Sequence, residues 1–175
     1  MFLRGRQPES TVWPRFRAAG ESFSVRRVGD LVEAAVRTSA SRAVDLFLAL
    51  IEELPPAVAV TIEDVRSDGM WSGEALALPD VLEVMGRLKL PLTTFAGAEI
   101  AVVSADEQLT LTRELGLYCF AHTERWVYLL RGLGLTERAS ISPRSWHLRP
   151  EQFPPARELT GALAVAADRL KLIRA

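Results

Sequence analysis

The sequence predicts an α+β domain, an antiparallel sheet of about five strands covered by helices, and three observations carry that expectation. Segments with apolar residues at helical spacing alternate with short segments of period two. Gly, Pro and Asp punctuate the junctions between them. The chain has 175 residues, 49% of them hydrophobic and 25% charged, which is enough for one self-sufficient core. The expected order is helix, helix, strand, strand, helix, three strands, helix, loop, helix.

Residues 1–24 read as a basic, irregular N-terminal arm ahead of a single domain at 25–175, because Gly5, Pro8, Pro14 and Gly20 interrupt any period. From Val28, the spacing of Leu31, Val32, Ala35 and Val36 fits one face of a helix. Ser41 is the expected N-cap of a second helix over 42–54, which buries Val44, Phe47, Leu48 and Ile51 and stops at Pro55-Pro56. Val58, Val60 and Ile62 alternate with Ala59, Thr61 and Glu63, the signature of a strand with one wet face. Ser67-Asp68-Gly69 supplies a turn into a returning strand over 70–76. Leu78-Pro79-Asp80 opens a helix that Pro91 is expected to end. Strands follow at 99–103, 108–112 and 115–121. In the last, Leu115, Leu117, Cys119 and Ala121 share one face while Tyr118 and Phe120 share the other, the pattern of an interior strand. A helix through Trp126, Leu129, Leu130 and Leu133, an irregular segment over 140–155 anchored by Trp146 and Phe153, and a helix over 159–173 complete the reading. Similar element order occurs in roadblock and profilin-like domains, an analogy of order alone.

Charge is unevenly spread. Residues 1–29 carry six Arg against two Glu, residues 30–138 nine basic against seventeen acidic side chains, and residues 139–175 six basic against three acidic. An acidic middle between two basic ends bears on partners and association rates. Cys119 is the only cysteine, so no intramolecular disulfide forms and a reducing, cytoplasmic setting is expected. The first residues lack the apolar run of a secretory signal, and no stretch is long enough to span a membrane, so a membrane partner is not expected.

No catalytic set assembles from sequence. Cys119 and His122 lie three apart on a strand and point to opposite faces, so they do not share a metal, and no metal or cofactor is expected. Cys119 reads as core, without the exposed, positive environment of a thiolate nucleophile. Gly132-Leu133-Gly134 is a fragment of a dinucleotide fingerprint with Glu137 in the place of its third glycine. Arg4, Arg6, Arg15, Arg17, Arg26 and Arg27 interleave with Phe2, Trp13 and Phe16 as nucleic-acid binders do, but the acidic body repels nucleic acid, so that partner is not expected.

The first hairpin carries the candidate site. Glu63, Asp64, Asp68 and Glu74 surround Trp71 and Met70, an acidic patch with an aromatic anchor suited to a basic protein partner. The block from Gln108 to Thr112 and from Leu117 to Trp126 resembles small bacterial proteins of the immunity type, which neutralise secreted toxins. That resemblance implies a non-enzymatic, toxin-binding role. Two alternatives stand beside it: an enzyme or sensor with a pocket between sheet and helices that has Tyr118 and His122 at its mouth, and a dimeric scaffold of roadblock-like type.

Overall fold

A computed structural model of the protein describes residues 20–67, 69–141, 153 and 155–175. The arm up to residue 19, Asp68, Trp146 and His147 lie outside the described residues. The fold is mixed α+β. In chain order the elements are β1 (Ser22–Val28), β2 (Leu31–Arg37), α1 (Ala40–Ile51), β3 (Ala57–Asp64), β4 (Gly69–Ala77), α2 (Leu78–Phe95), β5 (Ala98–Val103), β6 (Glu107–Leu111) and β7 (Leu117–Ala121). There follow α3 (Arg125–Gly132), β8 (Thr136–Glu137), α4 (Arg157–Arg169) and β9 (Ile173–Arg174). Among the described residues, nine strands join one sheet in the order β8-β1-β2-β7-β6-β5-β3-β4-β9. Five strands were expected.

The largest departure is at the start, where a hairpin replaces the expected first helix. Gly29 and Asp30 make a two-residue turn between Val28 and Leu31, and Gly29 takes φ 64°, a left-handed conformation that costs glycine little. The spacing of Leu31, Val32, Ala35 and Val36 also satisfies period two, with Val32, Ala34 and Val36 buried on one side. Branched valines on both strands favour that solution. β1 begins at Ser22, so the sheet takes in residues 22–24 that the sequence reading placed in the arm, and Phe23 is fully buried.

Two helix boundaries also move. Ser39, not Ser41, caps α1, accepting from the Arg42 backbone N–H at 3.3 Å. α2 continues through Pro91 to Phe95 because Leu92 is buried and Arg66 secures the helix end. The Arg66 guanidinium donates to the carbonyls of Phe95 at 2.7 Å and Ala96 at 2.6 Å, satisfying acceptors that a helix terminus leaves open.

β7 runs between β2 and β6, so it is an interior strand as its two apolar faces predicted. The register divides every central strand into two faces. Val32, Ala34 and Val36 on β2, Leu117, Cys119 and Ala121 on β7, Leu109 and Leu111 on β6, Ile100 and Val102 on β5, and Val58, Val60 and Ile62 on β3 are all buried. They form one hydrophobic core with the apolar stripes of the four described helices, including Phe47, Leu88, Trp126 and Leu163. The helices therefore make one layer and the sheet the other. The opposite face of the sheet carries the intervening residues, most of them half-buried or exposed. Among the described residues no helix is long and apolar enough to cross a membrane.

Candidate functional site

The acidic end of that second face arises from simple alternation along β3. Val58, Val60, Ile62 and Asp64 turn towards the helices, so Ala59, Thr61 and Glu63 turn away from them. Glu63 is then directly opposite Met70 on β4 and Glu99 on β5. Met70 is 43% exposed, and Ile173, which faces Ser72 from β9 on the same side, is 74% exposed. Glu74 is exposed where β4 bulges, next to Ala75 at φ 53°. Glu74 therefore lies beside Ala59, towards the other end of β3, while two apolar side chains and the carboxylates of Glu63 and Glu99 gather at one end of the open face.

Opposed like charges on neighbouring strands destabilise a sheet by roughly 0.2–1 kcal/mol. Here the cost shows in Glu99, whose carboxyl is pushed above the ordinary carboxylate range first by burial and then by Glu63, with Arg113 acting against both. Ionising Glu99 therefore costs the folded state more than the unfolded chain, so stability declines as the pH rises through the raised folded value. Glu99→Gln is expected to remove this decline. Urea unfolding should show the variant more stable than the parent by about 0.2–1 kcal/mol at neutral pH and equal to it once the parent carboxyl is protonated. Identical curves at both pH values would contradict this electrostatic account.

The other residues of the expected patch do not join it. Asp64 is fully buried, and its carboxylate accepts from the Arg66 backbone N–H at 3.1 Å, Ser67 Oγ at 2.8 Å and Thr160 Oγ1 at 2.8 Å. It ties the end of β3 to α4 and presents no charge to a partner. Trp71 pairs with Ile62 on the helix side, where it is half-buried with the Arg174 guanidinium 5.9 Å from its ring. Of the five expected residues, only Glu63 lies in the patch; Glu74 is exposed at the bulge towards the other end of β3, Asp64 and Trp71 turn to the helix side, and Asp68 lies outside the described residues. Glu99, Met70 and Ile173 complete the cluster. Period two placed Glu99 on a strand, but nothing local announces that this strand pairs with β3.

The residues expected at a pocket mouth sit farther along the same face. Tyr118 stacks on Phe120 with ring centroids 6.4 Å apart, and burial and the carboxylates of Glu33 and Glu114 push its phenol upwards against the opposing effect of Arg26. His122 lies just beyond β7, half-exposed, with Nδ1 3.2 Å from the Asp30 carboxylate. Cys119 points the other way into the core, where burial pushes its thiol upwards. A thiol reagent is expected to modify Cys119 only as fast as the protein unfolds. Rapid, stoichiometric labelling under native conditions would refute that placement. Among the described residues no group of three or more His, Cys, Asp or Glu side chains is placed to hold a metal ion.

Among the described residues, fold and surface together define a two-layer α+β arrangement with an acidic, partly apolar patch on the sheet face that no described helix covers. Comparison of the chain with models of known protein families, with curated proteins and with solved structures gave no match.

Proposed function

We propose that the protein acts by binding another protein, as an immunity protein that neutralises a secreted bacterial toxin, and that its basic partner meets the acidic end of the open face. The observation that carries this reading is the opposition of Glu63 and Glu99 beside exposed Met70 and Ile173. A partner's arginine or lysine placed between the two carboxylates relieves their repulsion and makes charge-assisted hydrogen bonds. Met70 and Ile173 supply apolar contact that excludes water around those bonds. The excess of acidic over basic side chains across residues 30–138 draws a cationic partner in and speeds encounter.

The block that resembles immunity-type proteins has a double role in this scheme. Leu109, Leu111, Leu117, Cys119 and Trp126 build the core, whereas Tyr118 and Phe120 continue the open face away from the acidic end. The role has a direct biological test. A basic protein captured on this chain should arrest growth when expressed alone, and co-expression with this protein should restore it. Persistent arrest in the presence of a stable complex would exclude neutralisation while leaving binding intact.

A further inference from the structure

We draw no further inference here: the strongest candidate, the sheet face that no described helix covers, running from the Glu63–Glu99 pair to the stacked Tyr118 and Phe120, is in part the site already described and is otherwise a surface with nothing in the structure to show what covers it.

Discussion

Asp64→Ala is expected to lower the unfolding free energy by about 1.5–3 kcal/mol, the loss of hydrogen bonds made to a buried carboxylate. The carboxylate accepts from donors in two places: the Arg66 backbone N–H and the Ser67 hydroxyl in the turn after β3, and the Thr160 hydroxyl on α4. Removing it leaves a void at the joint between sheet and α4 and breaks the hydrogen bonds that tie the two together. For a chain of this length the melting temperature should fall by roughly 2–4 °C for each kcal/mol lost. Thr160→Val removes one partner from the same site and should cost about 1 kcal/mol. The double variant should lose less than the sum of the two, because both act on one network. An Asp64→Ala protein that melts with the parent would show that the carboxylate is not the joint described here. Its binding of a basic partner, measured where it remains folded, should be unchanged, since Asp64 is absent from the surface.

Glu63→Lys should do the reverse: preserve the fold and damage binding. The substitution turns an opposed pair of like charges into an opposed pair of unlike ones across β3 and β5, which favours the sheet by about 0.2–1 kcal/mol. It also changes the charge of the proposed contact by two units at its centre. The association rate with a basic partner at low ionic strength is expected to fall about tenfold, and added salt should narrow the gap between variant and parent. Stopped-flow mixing reads the rate, and urea unfolding reads the stability. Equal rates for the two proteins would place the contact elsewhere on the molecule. A loss of binding accompanied by loss of fold would contradict the electrostatic account of the Glu63–Glu99 pair.

How much of this was legible in the sequence depends on the range of the interactions that decide it. The alternation of Val58, Val60 and Ile62, of Leu109 and Leu111, and of Cys119 against Tyr118 and Phe120 is local, and each appears in the structure on the faces expected. The same alternation sends Asp64 inwards once Glu63 points outwards, so the two adjacent acids cannot both belong to one surface patch. The β1–β2 hairpin was harder, because the spacing from Leu31 to Val36 fits both a helix and a strand. The Gly29-Asp30 turn is the feature that resolves it. β8 and β9, with two residues each, are too short to show any period. The juxtaposition of Glu63 with Glu99, and of Ser72 with Ile173, follows from non-local strand pairing, which no local pattern encodes.

The central claim is that the working part of this protein is the acidic and apolar end of its open sheet face. Affinity capture from the native host, run side by side with the full chain and its Glu63→Lys variant, tests this most directly. The expected result is one basic protein recovered in stoichiometric amount with the parent and lost or strongly depleted with the variant, while both baits show the same folded spectrum. Recovery of no stoichiometric protein by the parent, or equal recovery by both, would contradict it.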